Sequence, residues 1–252
     1  MAEVYAMTGG ATGIGAALKQ TLIERGDTVI VVDIKDADVV ADLSTAAGRQ
    51  AAIDGVRALA PEGLDGFIPC AGVGSHMPAP LVAAVNFYGV IETVEGLRDL
   101  VARKRGSILL VSSNSAPMID GDNPFVTACL EADEAAAVAA ATDGHTAYAG
   151  SKRAITQWMR RNVSTYAASG VRMNAVAPGI TETNMTEEIS KDENLGEAIK
   201  QFAEMTPLGG SAQPGQIASA MRFLLSPAAD FICGAVLFVD GGTDALMRPD
   251  SF

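Results

Sequence analysis

Residues 8–15 read Thr8-Gly9-Gly10-Ala11-Thr12-Gly13-Ile14-Gly15, and this glycine-rich stretch decides the fold. The apolar run Val4–Met7 before it predicts a buried strand, and residues 16–24 after it have apolar side chains at helical spacing. The glycines therefore lie in a strand-to-helix turn, where a backbone without Cβ atoms can approach a ligand closely. Main-chain amides and the helix dipole favour an anion such as a pyrophosphate there. A tight turn without a ligand is the alternative.

A second apolar strand, residues 28–32, ends at Asp33. A carboxylate in this position accepts hydrogen bonds from a ribose 2′-hydroxyl and repels a 2′-phosphate. The strand, loop, helix, strand and terminal acid together predict a dinucleotide site that prefers NAD to NADP.

The composition indicates one α/β domain, residues 1–252, because 252 residues with 48% hydrophobic side chains supply one large core. A net charge of −12 argues against nucleic acid or an anionic membrane as a partner. The sequence has no signal-peptide pattern and no apolar run of membrane-spanning length. Cys70, Cys129 and Cys233 are odd in number and lack metal-ligand spacing, so we expect a reducing, cytoplasmic location and no metal site.

A tyrosine and a lysine supply the predicted acid/base chemistry. Tyr148 and Lys152 are four positions apart in a predicted helix, so the phenol and the ammonium share one face. We expect the ammonium to lower the pKa of Tyr148 towards neutrality, which suits a general acid/base. Ser112 and Ser113 follow the apolar strand at residues 107–111, at the sheet edge where ligands bind.

Taken in order, these motifs resemble the short-chain dehydrogenase/reductase family. Its glycine loop TGxxxGxG, its YxxxK pair and its closing DGG correspond to residues 8–15, 148–152 and 240–242. The resemblance covers essentially the whole chain. It implies a Rossmann-type doubly wound parallel sheet, and an NAD-dependent oxidoreductase that interconverts a secondary alcohol and a ketone.

The resemblance also implies a role for each catalytic residue. Tyr148 would exchange a proton with the substrate oxygen, and Lys152 would hold the nicotinamide ribose. Ser113 would hydrogen-bond the substrate oxygen, with Ser112 as the alternative. Asn86, on a kink in a long helix, would hold a water of the proton relay; a surface or capping asparagine is the alternative.

Cofactor contacts are implied in every loop at this edge of the sheet. They are Thr8, Gly9, Thr12, Gly13, Ile14, Gly15, Asp33, Ile34, Asp42, Leu43, Cys70, Ala71, Gly72, Tyr148, Lys152, Pro178, Gly179, Ile180 and Thr183. For Asp42, capping a helix from Ser44 is the alternative. The family's NNAG motif reads Pro69-Cys70-Ala71-Gly72 here, so the support that an asparagine gives the sheet must come from elsewhere.

Two segments depart from an ordinary member of the family. Residues 117–142 form a predicted helical insertion, capped by Asp122 or Asn123, with an apolar face of Phe125, Val126, Cys129 and Leu130. A helix over residues 135–141 is expected to end at Asp143-Gly144. Residues 184–207 form a predicted substrate lid. The candidate lining residues of this lid are Met185, Ile189, Phe202 and Met205. The alternative for these four residues is ordinary packing on a helix face.

Within the family, the short link from Asp33 to Asp42 and the insertion resemble bacterial hydroxysteroid dehydrogenases. The substrate implied is a small apolar alcohol, a 3α-hydroxysteroid or a related cyclic or aromatic alcohol. An aryl or aliphatic alcohol dehydrogenase and a non-catalytic NAD-binding sensor are the alternatives. We expect a homodimer, with a tetramer second, because the insertion lies beside the usual interface helices. His76 and His145 have no evident partner and are left out of the chemistry.

Overall fold

The computed structural model of the chain describes residues 2–192 and 195–251. Seven strands form one sheet, in which all pairs are parallel and the order is β3-β2-β1-β4-β5-β6-β7. The strands are β1 Val4–Thr8, β2 Thr28–Asp33, β3 Val39–Val40, β4 Gly66–Pro69, β5 Ser107–Val111, β6 Arg172–Pro178 and β7 Val236–Val239. The order reverses between β1 and β4, so the loops that leave these two strands diverge and open a crevice.

Helices cover both faces of the sheet and bury two cores, one on each face. They are α1 Gly13–Glu24, α2 Ala46–Leu59, α3 Ala79–Ala83, α4 Gly89–Arg103, α5 Pro124–Leu130, α6 Glu134–Ala140, α7 Gly144–Ala167, α8 Asn184–Ser190, α9 Leu195–Met205, α10 Pro214–Leu225 and α11 Thr243–Met247. Helices α1 and α10 pack on one face, and α2, α4 and α7 pack on the other. The predicted doubly wound Rossmann-type fold is confirmed.

The short link from β2 to β3, within the segment from Asp33 to Asp42, contains no crossover helix. Helix α2 begins at Ala46, and the Thr45 side chain caps it by accepting a 3.0 Å hydrogen bond from the Gly48 amide. The alternative in which Asp42 caps a helix from Ser44 is therefore wrong. The Asp42 carboxylate instead accepts a 2.9 Å bond from the Ser44 amide in the turn before the helix.

The long helix that contains Asn86 is kinked, as the resemblance implies. A π-helical turn, Ala84–Tyr88, joins α3 to α4 and has Asn86 at its centre. π-Turns of this kind are frequent at functional sites. Asn86 is fully buried, so the surface or capping alternative is wrong.

The segment between β5 and α7 is helical, with one of its two candidate caps in use and one helix end that differs from the prediction. Asn123, the second of the two candidate caps, accepts a 2.9 Å bond from the Phe125 amide at the start of α5. Asp143 does not end α6, which stops at Ala140. It begins α7 instead, because its carboxylate accepts a 2.7 Å bond from the Thr146 amide. This cap fixes the first turn of the helix that carries Tyr148.

The apolar face of α5 packs on α7, as predicted. Phe125, Val126 and Cys129 are at most 1% exposed, whereas Leu130 is only partly buried. At Gly150 in α7 a Cβ atom would stand 2.5 Å from the Phe125 ring, so the small residue makes room for the aromatic one. The segment is thus part of the chain's own core, and burial of the Phe125 side chain contributes about 1.5–3 kcal/mol.

Candidate active site

A cavity of about 920 Å³ opens at the carboxyl edge of the sheet. Apart from Thr8, every predicted cofactor contact lines this cavity, including the residues of the glycine loop, Asp33, Asp42 and the β6 exit loop. Ser112, Ser113, Tyr148 and Lys152 line it as well. The fold therefore brings residues from seven separate loops and helices to one place.

The glycine loop leaves a cradle that side chains would fill. Gly9 has φ +72°, and a Cβ atom there would stand 2.6 Å from the Ala71 backbone. A Cβ atom on Gly15 would meet the Gly9 carbonyl oxygen at 2.0 Å. The N-cap Thr12 makes no side-chain capping bond, and the first turn of α1 contains no acidic residue. The amides at the start of α1 are thus free for an anion, so these residues fit a dinucleotide pyrophosphate.

Asp33 lies at the end of β2, beside the same loop. Its Oδ2 accepts a 3.1 Å bond from the Ala11 amide, and its Oδ1 accepts a 2.8 Å bond from the Ile34 amide. These bonds hold the carboxylate at the cavity wall. An ionised carboxylate there retains acceptor capacity for ribose hydroxyls.

Thr8 has a different position from the one predicted. It is 1% exposed and does not line the cavity, because its Oγ1 points to the next strand and accepts a 3.0 Å bond from the Ala71 amide. The Cys70 amide donates a 3.1 Å bond to the Thr8 carbonyl oxygen. Thr8 therefore joins the β1 and β4 exit loops.

The two serines after β5 have separate partners. Ser112 Oγ donates to the Lys152 carbonyl oxygen at 3.1 Å and lies 2.9 Å from Thr156 Oγ1, which ties β5 to α7. Ser113 Oγ accepts a 3.1 Å bond from the Ser115 amide, and the Ser113 side chain is near enough to Tyr148 to lower the pKa of the phenol. Of the two hydroxyls, the one at position 113 therefore faces the phenol.

The predicted lowering of the pKa of Tyr148 is wrong in direction. Burial raises the pKa of Tyr148, and the nearby Ser113 side chain lowers it only in part. Burial also lowers the pKa of Lys152 to about 8. The Lys152 Nζ atom lies 5.8 Å from the Tyr148 ring centre. The sequence shows that these residues share a face, but burial of the phenol, which depends on the tertiary structure, sets the direction of its pKa shift.

Asn86 acts on the backbone beside the site. Its Oδ1 accepts a 2.8 Å bond from the Val73 amide, and its Nδ2 donates a 3.0 Å bond to the Val73 carbonyl oxygen. Asn86 does not line the cavity, but a Cβ atom on Gly72 would stand 3.2 Å from its Oδ1 and 3.9 Å from Lys152 Nζ. The π-turn thereby fixes the exit loop of β4 against the catalytic helix.

The other half of the cavity is mainly apolar. Met185 and Ile189 of α8 and Phe202 of α9 line it, as predicted, whereas Met205 is 51% exposed and does not. The lining residues of α9 that the sequence analysis missed are Leu195, Ala198 and Ile199. Their spacing relative to Phe202 forms one helical face, which is the signal that could have found them. Positions 193 and 194 of the predicted lid lie outside the described residues.

Both histidines have surroundings that the sequence did not reveal. His145 lines the cavity one helical turn before Tyr148, and this i, i+3 spacing was the available signal. His76 Nε2 lies 3.8 Å from Glu188 Oε2 on α8, so the expectation that it lacks an acidic partner is wrong. The partner is 112 positions away in the chain, beyond the reach of any local pattern.

The fold and this site define a class of protein: Rossmann-type oxidoreductases that use a nicotinamide dinucleotide. Two family models match the chain, one described as short chain dehydrogenase over residues 3–122 and one as enoyl-(acyl carrier protein) reductase over residues 128–244. The chain belongs to the short-chain dehydrogenase/reductase family. The predicted family, the NAD cofactor and the predicted class of activity on alcohols and ketones are confirmed.

Individual relatives match over the whole chain. The 3-alpha-hydroxysteroid dehydrogenase/carbonyl reductase of Comamonas testosteroni is 40% identical, over 99% of this chain and 100% of its own length. The cis-4-hydroxycyclohexanecarboxylate dehydrogenase of Sinomonas cyclohexanicum is 32% identical, over 97% of both chains. The crystal structure of the 3-alpha-hydroxysteroid dehydrogenase from Pseudomonas sp. B-0831 complexed with NADH matches with a TM-score of 0.95 and 45% identity, over 99% of this chain and 100% of that one.

The described residues also limit other kinds of site. Within residues 2–192 and 195–251, no cluster of three or more His, Cys, Asp or Glu side chains has the arrangement of a metal site. In the same part of the chain, every helix falls short of the length and apolar character that a membrane span requires.

Proposed function

We propose that the chain oxidises a 3α-hydroxysteroid, or a related cyclic or aromatic alcohol, with NAD, and catalyses the reverse reduction of the ketone. The observation that carries the proposal is that Ser113, Tyr148 and Lys152 line one cavity whose substrate half is apolar. A cavity of about 920 Å³ is large enough for a dinucleotide beside a multi-ring alcohol. The 40% identity to a hydroxysteroid enzyme supports the same substrate class.

In this proposal each residue at the site has one task. When bound, NAD supplies the hydride acceptor for alcohol oxidation, and its reduced form supplies the hydride for ketone reduction. Tyr148 takes the proton from the alcohol oxygen or returns it to the carbonyl oxygen. Ser113 donates a hydrogen bond to that oxygen. Lys152 holds the nicotinamide ribose, and its ammonium stabilises the phenolate when it forms.

The other proposed cofactor contacts bind the rest of the dinucleotide. The glycine loop and α1 hold the pyrophosphate, and Asp33 with Ile34 holds the adenosine ribose. Asp42 and Leu43 flank the adenine, and Cys70 to Gly72 form the floor. Pro178, Gly179, Ile180 and Thr183 hold the nicotinamide. Thr8 and Asn86 are positioning residues in this scheme, because their side chains bond the backbone of Ala71 and Val73.

Helices α8 and α9, within residues 184–207, act as a substrate lid in this proposal. Support comes from packing: α9 has no buried residue, yet Leu195, Ile199 and Phe202 face the cavity. A helix held so lightly can open at small cost in free energy. An apolar ring system bound beneath it would complete the packing of these three side chains.

A substrate screen tests the proposal against its alternatives. Purified protein is mixed with NAD and a series of secondary alcohols, and NADH formation is followed at 340 nm by ordinary absorbance. We expect a kcat/KM for a 3α-hydroxysteroid at least tenfold above that for a simple aryl or aliphatic alcohol, because the larger apolar surface is buried under the lid. A higher kcat/KM for the small alcohols would instead indicate an aryl or aliphatic alcohol dehydrogenase. NAD binding without turnover of any alcohol would favour the sensor.

We also propose a cytoplasmic homodimer. The segment at residues 117–142 lies on α7, where it would block a four-helix interface formed by α4 and α7. The opposite edge is open: strand β7 has one neighbour in the sheet, and Leu237 is 37% exposed. Further exposed apolar side chains near this edge are Phe223, Phe231, Leu246 and Met247. An apolar edge strand of this kind favours two-fold pairing with a second copy.

A further inference from the structure

A second cavity, of about 620 Å³, adjoins the active site. Ser112 and Ser113 contribute to the walls of both cavities. The second cavity is otherwise lined by the turn at residues 116–117, by α7, by residues 231–238 and by Arg248. The reaction proposed above uses none of these other groups.

Three arginine side chains give this cavity a positively charged lining. Arg153 and Arg160 of α7 line it together with Arg248, and none of the lining residues in the described chain is acidic. Arg248 is paired with Asp244, at 2.8 Å. Within the described residues Arg153 and Arg160 have no ion pair, and the Nε atom of Arg153 is buried without a hydrogen-bond partner.

Arg98, Arg105, Arg161, Arg172 and Arg222 likewise have no ion pair among the described residues, so a missing ion pair alone does not distinguish Arg153 and Arg160. What distinguishes them is that both line one cavity whose described lining contains no carboxylate. A buried guanidinium donor without an acceptor also costs stability. An anion bound in the cavity would neutralise both guanidinium charges at once.

We propose that this cavity binds a small multivalent oxyanion, a polycarboxylate or a phosphate ester, through Arg153 and Arg160. Guanidinium groups recognise carboxylate and phosphate through paired hydrogen bonds. The two arginines are seven positions apart, about 10 Å along the helix axis, so their long side chains can reach one ligand that carries several anionic groups. The cavity volume lies in the range of small-molecule sites, and the net charge of −12 of the whole chain disfavours a polyanionic macromolecule.

Calorimetric titration with citrate and with inorganic phosphate, at ionic strength held constant with NaCl, tests the proposal. We expect saturable binding of one anion per chain, and the tighter of the two probes identifies the class. Arg160→Gln should weaken binding roughly tenfold through the loss of a charge-assisted bond pair. Arg161→Gln is the matched control, because Arg161 is the next residue of α7, is exposed and lies outside the cavity. It should change the affinity less than twofold.

Two results would overturn the proposal. One is the absence of saturable heat with both anions. The other is an equal loss of anion affinity in Arg160→Gln and Arg161→Gln. That result would mean that the anion responds to the general surface charge and does not bind in the cavity. Arg153→Gln gives a second measurement inside the cavity, and NAD affinity serves as the folding check for every variant. Because the titration needs neither alcohol nor turnover, its outcome is independent of the proposed oxidoreductase substrate.

Discussion

The Nζ atom of Lys152 donates a 2.9 Å hydrogen bond to the carbonyl oxygen of Val111, the last residue of β5. This bond fixes the amine between α7 and the central sheet, where the Lys152 side chain is almost fully buried. The catalytic helix and the strand that precedes Ser113 are therefore held in one arrangement by the lysine itself. Preorganisation of this kind is what a proton-transfer site requires.

Replacement of the phenol tests the role of Tyr148. Tyr148→Phe should retain NAD affinity within a few fold and lose turnover by about 10²–10⁴, because the proton donor and acceptor is gone. NAD affinity is measured by fluorescence titration and turnover by NADH formation. Tyr166→Phe, the same change on the same helix but outside the cavity, is the control. Near-normal turnover of Tyr148→Phe would remove the residue from the mechanism.

The charge of Asp33 should set the coenzyme preference. We expect wild-type protein to favour NAD over NADP by roughly a hundredfold in kcat/KM, because the carboxylate repels a 2′-phosphate. Asp33→Asn keeps an oxygen for the Ala11 amide but removes the charge, and it should narrow that ratio at least tenfold. Asp36→Asn, in the exposed turn that follows, should leave the ratio unchanged. Equal kcat/KM for the two coenzymes in wild-type protein would contradict the assignment.

The pH dependence of ketone reduction follows from the two buried groups. Reduction requires a protonated Tyr148 and a charged Lys152. Burial raises the pKa of the phenol, so Tyr148 stays protonated in the neutral range. Burial lowers the pKa of the amine to about 8, so Lys152 is charged below that pH and neutral above it. The kcat/KM for reduction should therefore be level below about pH 8 and fall above it.

Lys152→Arg provides the matched variant for this pH profile, since a guanidinium keeps its proton throughout the range. Any activity that this variant retains should show the fall in kcat/KM displaced to higher pH. A fall at the same pH in both proteins would mean that another group titrates.

Assembly is tested by light scattering. The wild-type mass should correspond to two chains, and Leu237→Asp should give single chains, because a charge in the middle of β7 opposes pairing of the two edges. Leu59→Asp is the control: Leu59 is 53% exposed on α2, away from β7. A four-chain mass for the wild-type protein would show that residues 117–142 do not block the second interface.

The sequence determined the coenzyme half of the site almost completely. A turn that needs glycine at positions 9, 13 and 15, and a carboxylate at the end of the next strand, are local requirements of backbone conformation and chain order. The family resemblance extended these local requirements to nineteen predicted contacts, and eighteen of them line one cavity. The four-residue spacing that places Tyr148 and Lys152 on one helical face is also a local property of the sequence.

Only the tertiary structure decided the properties that depend on burial and on distant partners. It directed the Thr8 hydroxyl to Ala71, put Glu188 beside His76, and exposed Met205 while Ile199 faces the cavity. It also reversed the expected shift in the pKa of Tyr148. The physical reason is common to all of these: desolvation and long-range contacts arise from how elements pack together, and the spacing of residues within one element does not encode them.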